Sequence, residues 1–304
     1  MPARAAAPSR PRFDVWGCRG SRSLAPSVSR LANRTSCYSL AVGRELVVFD
    51  AGRGLAALGH ALRTQAGLRG VDRIHLLVTH AHMDHWEGLK DVEWFWRFGN
   101  GLEIWLYGTA EALGTIRRGF EPPAYVPLEL LAQGTVRSLS WETLQAGADR
   151  PLAGGRLRAF ALNHYSGAAE TRRDLDTLGF RLELPRGPVV AYVSDHEPTP
   201  ATWATETAIV SGAHLVVYDA HFADLQSQRH GHGSQEHAAL VARAHAGTLV
   251  LAGHHGPAFD DAALLASFRR YGRGLRNLRL AREGARWDWD GRRFRPGRPA
   301  PSPR

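Results

Sequence analysis

Residues 80 to 85 read His-Ala-His-Met-Asp-His and directly follow the short apolar strand candidate Ile74 to Thr79. Alternate residues of an extended turn project to the same side, so His80 and His82 can converge on one point while Asp84 and His85 face another. The run therefore predicts a paired site for divalent cations at the carboxyl end of a buried strand, to which the fold must bring further ligands. Composition narrows the chemistry: 15 His against 2 Cys and 2 Met leave imidazole nitrogen and carboxylate oxygen as the available donors. These suit two zinc ions, with manganese or iron as alternatives. A His-rich surface turn is the competing reading, and it leaves the more distant polar clusters without a purpose.

A chain of 304 residues with 44% hydrophobic residues can bury a full core, and no Gly/Ser linker divides it. One catalytic domain over residues 13–291 is expected, between flexible basic tails at 1–12 and 292–304. The formal charge of +9 sits in the ends: residues 1–35 carry seven arginines and one acid, and residues 292–304 carry five arginines and no acid, leaving about −2 for the body. No broad basic stripe is implied there, so nucleic acid is open as a partner without being favoured. Cys18 and Cys37 cannot make a disulfide framework or a four-thiolate zinc site. No secretory signal core and no run of about 18 apolar residues is present, so no membrane partner is expected. A cytoplasmic protein follows as the default, with an Arg-rich transit segment as the alternative.

Strand candidates lie at Phe13 to Trp16, Ser39 to Val42 and Glu45 to Phe49, the last ending at Asp50 before a turn into the helical run LAALGHALRTQ. After the His/Asp run a helix is expected over Gly88 to Phe98. Further strands are read at GLEIWLYG, GRLRAFALN, LGFRLELP, PVVAYVSD, LVVYDA and TLVLAG. HGSQEHAALVARAHAG and DDAALLASFRR have helical spacing, and WDWDGRRFR reads as a final hairpin or edge strand. Strands that end in polar loops and alternate with helices predict a layered α/β or mixed sandwich.

The segments FDVWGCRGS, NRTSCYSL, VVFDAG and THAHMDHWEGL resemble successive landmarks of the metallo-β-lactamase fold superfamily, over most of residues 13 to 256. The chain is most similar to its phosphodiesterase side, which includes ribonuclease Z and bacterial cyclic-phosphate phosphodiesterases. The resemblance implies an α+β fold of four αββα layers. It also implies a ligand set: His80, His82 and His164 for one ion, Asp84, His85 and His254 for the second, and Asp195 bridging them. His196 and His255 stay open as substitutes for their neighbours Asp195 and His254. His232 resembles the histidine of an HST-like motif that serves the departing oxygen, although GHGS stands where GHST is usual and Gly233 is expected to loosen the loop. Asp219 would orient His232, and Asp50 would anchor the metal loop.

The implied activity is hydrolysis by a water activated between two ions and held by Asp84 and Asp195, most readily of a phosphodiester in a small cyclic nucleotide or related cyclic phosphate. Ribonuclease Z-like RNA processing, lactone or thioester hydrolysis, and a metal-binding protein without turnover are the alternatives. Residues 87 to 128, with Trp94, Phe95 and Trp96, are expected as an aromatic rim over the site or as packing between loops. The resemblance also admits a homodimer.

Overall fold

The computed structural model describes residues 10–298, apart from residues 66, 67, 69 and 168 and the side chain of residue 169. Its first half runs through β1 (Arg12–Gly17), β2 (Cys37–Val42), β3 (Glu45–Phe49), α1 (Gly54–Thr64), β4 (Arg73–Leu77), β5 (Glu103–Gly108), α2 (Ala110–Gly119), α3 (Leu128–Ala132) and β6 (Ser138–Thr143). The second half begins with β7 (Asp149–Leu152), β8 (Gly155–Ala161), the short ladder β9 (Tyr165–Ser166) and β10 (Arg173–Asp174), β11 (Leu178–Glu183) and β12 (Val189–Val193). It continues through α4 (Trp203–Val210), β13 (Leu215–Asp219), α5 (Gln235–Ala244), β14 (Leu249–Gly253), α6 (Asp261–Gly272) and β15 (Leu278–Leu280), and closes with β16 (Arg286–Trp289) and β17 (Phe294–Pro296).

The strands form an eight-stranded sheet in the order β17-β16-β1-β2-β3-β4-β5-β6 and a seven-stranded sheet in the order β15-β14-β13-β12-β11-β8-β7. Strand pattern explains how they stack. In β3, Leu46 and Val48 pack with α1, α2 and α3, whereas Val47 and Phe49 face the other sheet. In β13, Leu215 and Val217 meet that same inter-sheet core, while Val216 and Tyr218 pack under α4 and α5. Apolar residues on both faces give the uninterrupted hydrophobic runs read in the sequence. The result is the four-layer αββα arrangement expected.

Direction places the functional rim. Strands β3 to β6 are parallel, and so are β12 to β15. Strand β8 is antiparallel to β11, which is antiparallel to β12, so β8 points the same way as β12. The carboxyl ends of β3, β4, β8, β12, β13 and β14 are followed closely by Asp50, His80, His164, Asp195, Asp219 and His254. Rigid strands thus deliver polar residues to one rim.

Several expectations need correction. Arg12 opens β1, the Pro11 carbonyl accepts from Trp289 N, and Phe294–Pro296 pairs with β16, so both ends of the sheet reach into the segments expected as tails. The rest of those segments, residues 1–9 and 299–304, lies outside the described residues. The helix expected over Gly88 to Phe98 is instead two 3-10 turns, Glu87–Lys90 and Glu93–Phe95. A continuous helix would turn Trp94 away from Leu89 and Val92, whereas the broken path buries all of them together with Phe95. Strands β6 and β7 escaped notice because they are largely half-exposed and polar edge pieces. Among the described residues, no helix is long and apolar enough to cross a membrane.

Phe180, fully buried in β11 between the sheets, tests this layering. Phe180→Ala is expected to cost about 3–5 kcal/mol, read as a lower denaturant midpoint at an unchanged m-value. A loss below about 1 kcal/mol would place Phe180 outside a close-packed core.

Candidate metal centre

The loop after β4 holds its histidines by a short chain of bonds. Asp50, immediately after β3, accepts from Thr79 N at 2.9 Å and Thr79 Oγ1 at 3.0 Å, and from Tyr192 Oη at 2.7 Å. It also lies 2.7 Å from His85 Nδ1, so that nitrogen carries the hydrogen and Nε2 presents a lone pair. Nδ1 of His80 meets Thr79 Oγ1 at 3.0 Å. The Asp84 carboxylate accepts from Ser21 N at 2.8 Å, tying the loop after β1 to the same place. Gly52 and Gly88 let the two loops touch: a side chain at Gly88 would come within 2.1 Å of the Gly52 carbonyl oxygen.

From the second sheet, His164 sets its Nδ1 on the Gly231 carbonyl oxygen at 2.8 Å, which leaves its Nε2 3.0 Å from His82 Nδ1. Asp195 stands between two groups. Its Oδ2 is 3.7 Å from both His80 Nε2 and His164 Nε2, and its Oδ1 is 3.3 Å from His85 Nε2 and 3.1 Å from His254 Nδ1. Among the described residues three groups are suited to hold metal: His80, His82, His164 and Asp195 on one side of that carboxylate, Asp84, His85 and His254 on the other, and His221 and His232 with the same His254. Ring nitrogens Nε2 of His80, His85 and His254 are buried without a hydrogen-bond partner. Cation ligation would satisfy such donor atoms, and this imidazole and carboxylate set fits zinc, manganese or iron.

Burial favours the neutral ring at His80, His164 and His254. Burial lowers His164 to about 4 and His254 to about 3, and it holds His80 well below its ordinary value. Burial would also depress His85, but the carboxylates of Asp195, Asp50 and Asp84 outweigh it and raise that histidine. Burial would raise Asp195, yet the surrounding His254, His85 and His80 keep it well below the usual carboxylate range. Backbone conformation is strained at the same spots: Asp50, Asp195 and His254 take φ of 59°, 50° and 49°. Side chains other than Gly seldom adopt this left-handed region, and such strain clusters at functional sites.

Asp219 organises the next wall. Its carboxylate accepts from the backbone N–H groups of His196, His221 and Gly233 at 3.0, 3.0 and 3.2 Å, and lies 3.0 Å from His232 Nδ1. Burial would lower His232, but Asp219, Asp195 and Asp84 raise it above its ordinary value. Gly233 does not loosen this loop as the sequence suggested. A Cβ there would meet the Asp219 carbonyl oxygen at 2.8 Å, so glycine is what lets the loop close. His232, His164, His82, Asp84, Asp195 and Tyr165 line an open cleft of about 570 Å³, whose lining includes no Lys or Arg.

His196 and His255 join none of the clusters, although His196 Nε2 and His255 Nδ1 are also buried without a hydrogen-bond partner. His196 Nδ1 accepts from Asn163 N at 3.0 Å and its Nε2 faces Glu206 at 3.2 Å, while His255 Nε2 donates to the Ala281 carbonyl oxygen at 3.0 Å. Trp94 and Phe95 are buried under the first sheet with α1 and α3 and Trp96 is exposed, and none of the three lines the cleft. The sequence reading missed His221, which groups with His232 and His254 and stacks on His232 at 4.2 Å between ring centroids. Its position two residues after Asp219 at a strand end was the available signal.

A family model described as a beta-lactamase superfamily domain matches residues 45–255. Among curated proteins no sequence matches. The metallo-β-lactamase fold protein YhfI from Bacillus subtilis is similar at 16% identity and a TM-score of 0.63, over 92% of this chain and 100% of that one. A diphosphatase of the PhnP family shares 16% identity at a TM-score of 0.62, over 92% and 97% of the two chains. Human tRNase Z, short form, shares 17% identity at a TM-score of 0.60, over 90% and 98%. At such identities the likeness is one of fold.

Asp50→Asn would leave the shape of this centre but weaken the hold on the His85 tautomer. Chelator competition is expected to show metal binding weakened about 10–100-fold. Unchanged affinity would mean that Asp50 only stabilises the turn.

Proposed function

Because the chain belongs to the β-lactamase superfamily domain family, we propose that its metal-dependent hydrolysis is directed at a phosphodiester bond in a small substrate, a cyclic nucleotide or related cyclic phosphate. The observation that carries this reading is the His232–Asp219 pair standing beside the two His/Asp clusters on the wall of the cleft. Similar folds bear names of phosphoryl-group enzymes, a diphosphatase and a tRNase Z. His80, His82 and His164 would hold one cation and Asp84, His85 and His254 the other, with Asp195 serving both. Bound there, divalent cations supply Lewis-acid charge at phosphoryl oxygens and lower the pKa of a water.

The chain's own residues do the rest. Asp50 and the Gly231 carbonyl oxygen fix the tautomers of His85 and His164, so their Nε2 lone pairs aim inward. Ser21 N holds Asp84 in place. Asp219 takes the Nδ1 hydrogen of His232 and favours its protonated ring, leaving Nε2–H to be donated to the departing ester oxygen. An alkoxide leaving group needs such a proton. Among the described residues the cleft lining holds no Lys or Arg, and only Arg172, stacked on Tyr165, is seen against it, a sparse charge that favours a small substrate over RNA at this mouth.

Three variants divide the labour. His80→Ala and Asp195→Ala are expected to lose metal and turnover together, whereas His232→Ala should retain metal and lose about 10²–10⁴ in kcat on substrates with poor leaving groups. Equal metal loss in all three, measured by elemental analysis, would defeat the assignment of His232. The substrate class is read by assaying bis-p-nitrophenyl phosphate, 2′,3′-cyclic nucleotides, a lactone and a thioester on metal-loaded protein. Cleavage confined to the lactone or thioester would overturn the phosphodiester reading, and metal binding without any turnover would indicate a binding protein.

A further inference from the structure

At the opposite rim, where β13, β14 and β15 begin, lies a second cleft of about 660 Å³. Five arginines line it, Arg243 from the end of α5, Arg276 and Arg279 from the start of β15, and Arg293 and Arg295 from the closing hairpin, and no Asp or Glu does. Some surface arginines elsewhere are tied to acids, as in Arg63–Glu93, Arg73–Glu103, Arg156–Asp149 and Arg173–Glu111, while others such as Arg118 and Arg186 make no ion pair among the described residues. In this cleft, Arg243, Arg276, Arg279 and Arg293 make no ion pair among the described residues, and Arg295 reaches only Asp290. Trp287, in the same wall, has an indole N–H buried without an acceptor. Arg279 also donates to the Leu278 carbonyl oxygen, so the wall gathers five guanidinium groups of which Arg295 alone, among the described residues, is answered by an acid, Asp290. Fixed positive groups left side by side repel one another unless an anion is expected between them.

We propose that this cleft is a second binding site, separate from the metal centre, for the sugar–phosphate backbone of a single-stranded nucleic acid. All five cations are arginines, as are 37 of the chain's 38 basic residues, and a planar guanidinium fork matches phosphate oxygens in pairs. The several segments that contribute them spread the charge along a groove, which suits successive phosphates better than one small anion. The half-buried indole of Trp287 beside the arginines adds a ring on which a base, but not an acidic peptide or a bare polyphosphate, can stack. The strands between the two rims are five residues long, so the groove lies on the order of 15 Å from the cations' ligands and does not extend the catalytic cleft. The basic character read in the last residues of the sequence thus has a destination: two hairpin arginines join three from the body.

The test uses metal-loaded, full-length protein and a labelled oligothymidylate of about 12 nucleotides, with anisotropy read over a salt series. Arg276→Glu with Arg279→Glu is expected to weaken binding about tenfold or more and to flatten the slope of log K against log salt by about 1.4, two lost phosphate contacts on a single strand. Turnover of the small phosphodiester and the thermal midpoint should stay as in the unmodified protein, since both side chains are exposed and away from the metal centre. Arg118→Glu with Arg186→Glu, exposed arginines outside the cleft, is the control for charge alone and should leave affinity nearly unchanged. Equal losses in both pairs, an unchanged slope in the first pair, or binding of inorganic polyphosphate or polyglutamate without the oligonucleotide would overturn the proposal. Because hydrolysis is read separately, failure of the cleft and failure of the phosphodiester reading are distinguishable.

Discussion

Asp195 is the interaction on which the centre depends. Each of its carboxylate oxygens faces a different group of imidazoles, at 3.7 Å on one side and 3.1 to 3.3 Å on the other, in a fully buried setting. A buried carboxylate costs several kcal/mol unless positive charge answers it. Burial favours the neutral ring at His80, His164 and His254, and Nε2 of His80, His85 and His254 are left without hydrogen-bond partners. Cations bound between the sheets would answer both this carboxylate and those nitrogens. This is why the fold tolerates left-handed backbone at Asp50, Asp195 and His254, where strain is offset by placing the ligands.

Two buried carboxylates outside the clusters transmit order to them. Asp50 joins His85, Thr79 and Tyr192 and so couples the first sheet to the second. Asp219 gathers three backbone N–H groups and His232. Arg19 does comparable work for the loop after β1: fully buried, it donates to the carbonyl oxygens of Ala32 and Gly256 and to Ser29 Oγ. That places Ser21 on Asp84 and Gly20 against His254, where a side chain would come within 2.5 Å of the ring. Each anchor spends a buried charge on position, a use of charge that serves specificity more than net stability.

Much of this was legible in the chain. The His80 to His85 run, the apolar strands and the polar residues at their carboxyl ends gave the layered fold and the two sides of the site, because strand period and ligand chemistry are local. What was not local was missed. Arg19, a basic residue near the amino end, reads as surface until its carbonyl partners from other segments are known. His221 is one residue in a strand-end run whose stacking on His232 depends on the second sheet closing. Gly233 looked like slack because sequence does not reveal that the Asp219 carbonyl oxygen sits where its Cβ would be. Charge summed by segment hid Arg243, Arg276 and Arg279 among compensating acids, although in space those acids lie elsewhere.

The proposed centre holds two cations, one on either side of Asp195. Anomalous diffraction from crystals of metal-loaded protein tests it most directly. The account predicts two peaks, one within about 2.0–2.2 Å of ligand atoms from His80, His82 and His164 and the other within that distance of Asp84, His85 and His254, both touching the Asp195 carboxylate. No peak, or a single peak held by His221, His232 and His254 away from Asp195, would contradict it.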